Sequence, residues 1–160
     1  MAVRQEGLPC ERGSIKKGHT MGEKVFDCNK SVYVKKIPLK GRAVFANTSF
    51  NVGDVIERAP TWGFDHSTAR ALEKTGLFEY YFVRNDQQIG GKELMAGYVV
   101  FGFISIVNHS ENPNTKIVWS NEDSGAWASI VAINDIRADE EITHHYANIC
   151  AYHNRTKFVE

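Results

Sequence analysis

The stretch that decides the fold is FGFISIVNHSENPN, residues 101–114, in which an apolar run ends abruptly at Asn108 and His109. A polar side chain at the end of a buried segment needs a hydrogen-bond partner, because an unpaired one costs roughly 1–3 kcal/mol. Asn and Ser readily bond nearby backbone, and Pro113 favours a turn, so a self-satisfied loop is one interpretation. The other is that the partner is a ligand.

Length and charge limit the class of protein. The 160 residues, of which 42% are hydrophobic, suit one globular domain that buries about two-thirds of its unfolded surface. Nineteen basic and nineteen acidic residues cancel, so there is no overall positive field of the kind that attracts nucleic acid. We therefore predict no direct nucleic-acid partner.

Cysteine usage and hydropathy indicate the compartment. Cys10, Cys28 and Cys150 show no CxxC or CxC spacing, so no disulfide framework is predicted. The N-terminal stretch lacks the apolar core of a signal peptide, and no apolar run approaches the roughly 18 residues of a membrane span. We expect a soluble intracellular protein, nuclear or cytoplasmic, without a membrane partner.

Composition divides the chain into three parts. Residues 1–29 are rich in Gly, Lys, Arg and Glu and poor in large apolar side chains, which predicts a flexible N-terminal arm. Residues 30–148 are the predicted domain, and residues 149–160 are a C-terminal tail. Mixed charge and unpaired sheet edges allow either a monomer or a homodimer.

Short apolar and β-branched segments separated by turn residues predict a mainly β fold of several small sheets. NEDSG, residues 121–125, is typical of a hairpin loop between two of the strands. The candidate strands are SVYVKKI (31–37), AVFANT (43–48), DVIERA (54–59), TKIVWS (115–120), AWASIVAI (126–133) and EEITHHY (140–146).

One short helix is predicted in STARALEKTG, residues 67–76. Ser67 is the predicted N-cap, and Gly76 is placed to end the helix. Ala69 and Leu72 recur near helical spacing, as does Leu77.

Several signatures of other enzyme classes are absent from the sequence, namely GxSxG, a Walker loop, GxGxxG after a strand and HExxH. One cluster has residue types that bind metals, but its spacing matches no standard zinc motif. We predict no metal site, and a metal-dependent protein built on this cluster stays open as an alternative. The cluster consists of His144, His145, Cys150 and His153.

Three separated pieces carry the functional interpretation: KGRAVFANTSFNVGDVI (40–56), VNHSENPN (107–114) and EEITHHY (140–146). In this order and spacing the chain resembles the SET-domain protein lysine methyltransferases. It is most similar to the compact stand-alone members of viruses and bacteria, which lack zinc-binding cysteine modules. The resemblance implies a mainly β SET fold with a β-clip, one or two short helices and a knot-like crossing of the C-terminal segment.

The resemblance also implies a cofactor, S-adenosyl-L-methionine. Asn108 is then expected to bind its methionine part, and the His109 backbone to meet its adenine. The turn Gly41, Arg42 and Ala43 is expected to form the other wall. Family members usually carry glycine at both ends of this triplet, so a Cβ at residue 43 is predicted to cost about 1 kcal/mol or to shift the loop.

Tyr146 matches the catalytic tyrosine of the family, which lies near the transferred methyl group. A tyrosine lining the lysine channel of compact members matches Tyr80, although the alignment could slip to Tyr81. Neighbouring residues on a strand point to opposite faces, so only one of the two is expected to face the channel. We predict Tyr80 for this role.

Two further positions are assigned to the substrate channel. His144 stands where the family often has Phe or Tyr, a position linked to the number of methyl groups added. Tyr152 is predicted to close the channel, in place of the zinc-binding cysteines found beyond the tyrosine in many relatives. Phe158 in the same role, an exposed tail, and completion of the channel by a second subunit stay open as alternatives. His145 replaces a common acidic or small residue and is given no role.

The sequence therefore predicts a methyltransferase whose partner is a protein substrate with a target lysine, a histone tail being one candidate. Glu73, Glu79 and Asp86 could attract a basic tail. A SET-fold module that binds peptide or cofactor without turnover is the alternative from another functional class.

Overall fold

The computed structural model describes residues 24–26, 30–38, 40–84, 86 and 95–147. One α-helix and two 3₁₀ helices accompany ten strands in this part of the chain. The strands are β1 (Lys24–Phe26), β2 (Val32–Ile37), β3 (Gly41–Ala46), β4 (Val55–Phe64), β5 (Tyr81–Phe82), β6 (Gly97–Val100), β7 (Asn108–His109), β8 (Thr115–Glu122), β9 (Gly125–Ala132) and β10 (Thr143–His144). The helices are α1 (His66–Leu72), the first 3₁₀ helix (Gly76–Tyr80) and the second 3₁₀ helix (Phe103–Ile106).

The strands form two sheets. One is antiparallel with the order β1-β2-β3, and the other has the order β5-β6-β4-β9-β8-β10-β7. The large sheet is antiparallel from β5 to β8, and β10 then runs parallel to both of its neighbours. The predicted mainly β fold is confirmed, with seven of the ten described strands in one sheet.

The six predicted strands are present, with shifted bounds. The strand predicted at 140–146 is reduced to β10, and the strand predicted at 54–59 extends to Phe64. The predicted hairpin loop is tighter than expected, because Glu122 pairs with Gly125. Gly125 has a φ of +114°, which glycine adopts without steric cost. The strands β1, β5, β6 and β7 were not predicted, and β1 lies within the stretch predicted as an arm.

The predicted helix exists, but its predicted cap and end are wrong. Asp65 is the N-cap, and its carboxylate accepts hydrogen bonds from the Thr68 backbone N–H and from the Ser67 hydroxyl. These bonds hold the pKa of Asp65 at about 2. The helix ends at Leu72, and Gly76 begins the first 3₁₀ helix, which also contains Leu77. An aspartate two residues earlier competes with serine for the cap because both offer a side-chain oxygen.

The C-terminal crossing follows from the position of β10. This strand lies between β7 and β8, which are consecutive in the chain, so it passes beneath the loop at residues 110–114 that joins them. Asn114 fastens the loop to the crossing segment. Its Nδ2 donates to the Glu141 carbonyl at 2.8 Å, and its Oδ1 accepts from the Thr143 N–H at 2.9 Å.

The segment before β10 is also bonded to β3 of the small sheet. The Ala46 N–H donates to the Glu140 carbonyl at 2.9 Å, and the Ile142 N–H donates to the Val44 carbonyl at 2.8 Å. Residues 41–46, 107–110 and 140–146 therefore meet in one place, although up to a hundred residues separate them in sequence. In the described residues, no helix is both long and apolar enough to cross a membrane.

Candidate functional site

One side of the crossing is a polar cluster of Arg42, Asn108 and Glu141, which we call the polar side. Asn108 Nδ2 donates to Glu141 Oε1 at 2.9 Å and to the Arg42 carbonyl at 3.3 Å. Lys40 Nζ lies 3.8 Å from Glu141 Oε2. Both Nδ2 hydrogens of Asn108 are thus used within the protein, and within the described residues its Oδ1 accepts no hydrogen bond.

Residues 41–43, which were predicted as a turn, are the first residues of β3, and the two ends of this triplet differ. Gly41 has a φ of +83°, and a Cβ built there would meet no atom within 4 Å. The backbone at Gly41 therefore borders open space. Ala43 has a negative φ and is fully buried, where it packs with Tyr33 and Phe45 in a small core cluster. Its Cβ is a core group, so the strain expected of a positive φ does not arise.

Tyr146 is attached to the 107–109 segment at both ends. Its hydroxyl donates to the Val107 carbonyl at 2.8 Å, and its backbone N–H donates to His109 Nδ1 at 3.1 Å. The rings of His109 and Tyr146 lie 5.4 Å apart. Two short, directional bonds to one segment fix both the backbone and the phenol of this residue.

The other side of Tyr146 is a cavity of about 930 Å³, which we call the aromatic cavity. This volume lies in the range of small-molecule and cofactor pockets. It is lined from the α1–β5 region by Glu73, Lys74, Phe78, Glu79, Tyr81, Phe82 and Val83. The other lining residues are Ser105, Pro113, Thr115, Lys116, Ile117, Trp119, Ile133, His144, His145, Tyr146 and Ala147.

His144 lines this cavity and is 5% exposed. Its ring is stacked on Phe82 at 5.7 Å between centroids and tilted against Tyr146 at 4.8 Å. Burial lowers the pKa of His144 to about 4, so the imidazole is neutral at pH 7. Its Nε2 is buried without a hydrogen-bond partner in the described part of the protein.

The two adjacent tyrosines lie in different environments. Tyr81 begins β5, lines the aromatic cavity and packs edge-on against Phe64 and Phe78. Burial, with the charge of Glu73 as a smaller cause, raises the pKa of Tyr81, so its phenol keeps its proton. Tyr80 ends the preceding 3₁₀ helix, is 39% exposed and is not part of the cavity lining.

The acidic residues expected to attract a basic tail are not equivalent. Glu73 and Glu79 line the aromatic cavity, where Lys74 and Lys116 balance their charge. Asp86 is held by both Arg84 Nε and Arg84 Nη2, at 2.9 and 2.8 Å. The Asp86 carboxylate therefore forms an intramolecular ion pair with Arg84.

Part of the predicted metal cluster and of the predicted channel falls on residues that the structure does not describe. Tyr152, Cys150 and His153 lie outside the described residues. Where the structure does describe the chain, no three His, Cys, Asp or Glu side chains are placed to share a metal ion.

Sequence reasoning missed three groups that hold the site together. Glu57 accepts hydrogen bonds from the Phe103 and Ile104 N–H groups and so anchors the second 3₁₀ helix, which leads into the 107–109 segment. Glu141 and the His109 ring were also missed. The signal available for Glu57 was a glutamate inside the strand predicted at 54–59, because a carboxylate that becomes half-buried in a strand requires donors.

Comparison with known proteins agrees with this geometry. The profile of the SET domain matches residues 41–147. No protein of curated function matches the chain in sequence at a significant level.

Two of the solved structures that match the chain illustrate the shared fold. A candidate histone methyltransferase of Plasmodium falciparum has a TM-score of 0.57 at 22% identity, over 75% of this chain and 96% of that one. CpSET8 from Cryptosporidium has a TM-score of 0.55 at 23% identity, over 73% of this chain and 57% of its own. Because the profile match spans well over half of the sequence, the chain belongs to the SET-domain family, which includes protein lysine methyltransferases.

Proposed function

We propose that the chain is an S-adenosyl-L-methionine-dependent protein lysine N-methyltransferase. The observation that carries the proposal is the placement of Tyr146, which is bonded to the segment that carries Asn108 and also lines the aromatic cavity. One residue thus joins a polar cluster suited to a zwitterion with a cavity suited to an aliphatic chain. Tyr146 is the catalytic residue in this proposal.

The donor set of the polar side fits the methionine part of the cofactor. Asn108 Oδ1 can accept from an ammonium group, since Nδ2 already has its partners. The Arg42 guanidinium and the Lys40 ammonium can bind a carboxylate. The open space beside Gly41 leaves room for a ligand close to the backbone, and the His109 backbone is assigned to the adenine. When bound, S-adenosylmethionine supplies an electrophilic methyl group on its sulfonium.

The aromatic cavity fits the acceptor lysine. At pH 7 only about one free lysine in 2,500 is neutral, which corresponds to about 4.6 kcal/mol. Phe82, Trp119 and Tyr81 exclude water around the lysine stem and so disfavour its charged form. His144 is itself neutral and adds no positive charge. The lysine can therefore lose its proton to solvent before methyl transfer.

The Tyr146 hydroxyl then orients the reacting groups. Its proton is donated to the Val107 carbonyl, so its oxygen lone pairs remain as acceptors for the amine N–H and for weak C–H donors. An acceptor fixed in advance costs little reorganisation during the reaction. Tyr81 is the second channel tyrosine in this proposal, in place of Tyr80, because it lies in the cavity wall.

The substrate is a lysine of a protein, and core histones are the first proteins to test. The experiment measures methyl transfer from labelled S-adenosylmethionine to core histones and to a mixed cellular extract, with Tyr146→Phe beside the wild type. Tyr80→Phe is the matched control, since it removes a hydroxyl outside the cavity. We expect lysine labelling that falls at least tenfold in Tyr146→Phe and is unchanged in Tyr80→Phe.

Two results would contradict the proposal in different ways. Cofactor binding without transfer to any protein would identify a binding module that does not turn over. Failure to bind the cofactor would leave residues 107–114 as a structural loop.

A further inference from the structure

The His109 ring makes contacts that the proposed roles of the site do not use. Its backbone is assigned to the cofactor, but its side chain is 3% exposed and faces Tyr146 and Glu111. Nδ1 lies 3.1 Å from the Tyr146 backbone nitrogen, and Nε2 lies 3.2 Å from Glu111 Oε1.

These two contacts determine the tautomer of the neutral ring. A backbone N–H can only donate, so Nδ1 must be the acceptor and cannot carry a proton. In a neutral imidazole the proton is then on Nε2, from which it is donated to the Glu111 carboxylate. The Nε2–H tautomer is the only neutral form that satisfies both neighbours.

We infer that His109 is a positioning residue that sets the backbone of Tyr146, and that Glu111 selects the tautomer able to do so. This inference rests on the proposed function, because it concerns the placement of the proposed catalytic tyrosine. Tyr146 lies two residues beyond the end of β10, and its backbone N–H donates to the His109 ring. The ring nitrogen thus takes the place that a backbone carbonyl has inside a strand.

Glu111 has a second neighbour that makes the assignment testable. His145 Nε2 lies 3.8 Å from Glu111 Oε2, and the His145 side chain is 53% exposed. The longer distance and greater exposure make this contact the weaker one. The His145 ring also packs edge-on against the His109 ring, with 5.2 Å between the ring centroids. Removing the His145 ring takes away this packing but neither hydrogen bond of the His109 ring, so His145→Ala is a control for the hydrogen bonds.

Two substitutions of His109 distinguish a role of its Nδ1 in positioning Tyr146 from a role of the size of its ring. His109→Asn keeps an acceptor oxygen near the place of Nδ1, whereas His109→Gln extends its amide to the place of Nε2. We expect His109→Gln to lower kcat at least tenfold with little change in cofactor affinity, and His109→Asn to recover at least a third of wild-type kcat. Equal kcat in the two variants, or a loss of kcat that follows a loss of thermal stability, would overturn the positioning role.

The tautomer is measured without turnover. The ¹⁵N chemical shifts of the imidazole distinguish the two neutral tautomers, and we expect Nε2–H for His109 in the wild type and in His145→Ala. In Glu111→Ala we expect a mixture of the two neutral tautomers of His109 and a kcat reduced a few-fold. Glu111→Gln should be closer to the wild type in both tautomer and kcat. An Nδ1–H signal in the wild type overturns the inference. Absence of transfer in a wild type that shows Nε2–H instead overturns the proposed function and, with it, the catalytic part of the inference.

Discussion

The polar side and the aromatic cavity lie on either side of the same crossing, yet they are built by different chemistry. On the polar side, Asn108 and Glu141 bond each other and the Arg42 backbone. In the aromatic cavity, His144 is stacked on an aromatic ring and its Nε2 has no partner among the described groups. The polar side therefore presents ionic and amide groups, whereas the cavity wall around His144 is aromatic. Under the proposed function, the first suits a zwitterionic cofactor and the second an amine that must be neutral.

A small domain can therefore place a polar cluster and an aromatic cavity close together. The crossing brings β3, β7 and the segment 140–144, which contains β10, within hydrogen-bonding distance of one another. Because β7 and β10 are only two residues long, their side chains and those of the residues beside them can face either side. Tyr146 lines the aromatic cavity and is also bonded to the segment that carries Asn108.

The contrast is sharpest at His144, where a titratable group is buried in the apolar environment. Its pKa of about 4 in the fold lies below the usual 6.5, so the unfolded chain binds more protons between these values. The free energy of unfolding therefore falls as the pH falls from 6.5 towards 4. Between pH 7 and pH 5 we expect a loss of about 2 kcal/mol from this residue.

Chemical denaturation at the two pH values measures this loss. His144→Phe should reduce the change between pH 7 and pH 5 by about 2 kcal/mol, whereas His66→Ala, on the exposed start of α1, should behave as the wild type. The same pH dependence in His144→Phe and in the wild type would mean that the ring is not buried as a neutral group.

Substitution of Ala43 tests whether the polar side needs glycine at both ends of the 41–43 triplet. Ala43→Gly removes a fully buried methyl group and adds backbone freedom, so we expect a loss of about 1.5 kcal/mol in unfolding free energy. Cofactor affinity should not improve, because the Cβ faces the core cluster of Tyr33 and Phe45. Tighter cofactor binding in Ala43→Gly would show instead that the methyl group obstructs the ligand.

The smallest expected effect belongs to Tyr81 in the aromatic cavity. Its hydroxyl makes no hydrogen bond within the described residues, so it is available to the substrate. Tyr81→Phe should lower kcat/KM for the protein substrate about fivefold, or about 1 kcal/mol. Tyr80→Phe should leave kcat/KM unchanged. A larger loss of kcat/KM in Tyr80→Phe than in Tyr81→Phe would show instead that Tyr80 is the channel tyrosine.

Particular residues show how far the sequence could predict this molecule. The crossing was predicted through the resemblance of the three ordered motifs to the SET-domain family, whereas the polar ending at Asn108 and His109 taken alone also allowed a self-satisfied loop. The choice between Tyr80 and Tyr81 could not be made, since it depends on where a 3₁₀ helix gives way to β5. That boundary is set by packing of Tyr81 against Phe64 and Phe78.

Other features needed tertiary information for similar reasons. Gly41 and Ala43 belong to the same turn motif, but only the three-dimensional structure shows that the backbone at Gly41 has a positive φ and that Ala43 lies in the core. The strand β6 was missed because its four residues run directly into the apolar stretch at 101–107. Length and periodicity cannot divide such a run into strand and 3₁₀ helix.

The most direct test of the division between the two sides is a calorimetric titration of S-adenosylmethionine into the wild type, Asn108→Ala and Tyr146→Phe. We expect Asn108→Ala to weaken binding at least tenfold, because it removes the acceptor for the ammonium group. Tyr146→Phe should stay within about twofold of the wild type, since its hydroxyl bonds the Val107 carbonyl. Equal weakening in both variants, or wild-type affinity in Asn108→Ala, would contradict a polar side that binds the cofactor and an aromatic cavity that receives the lysine.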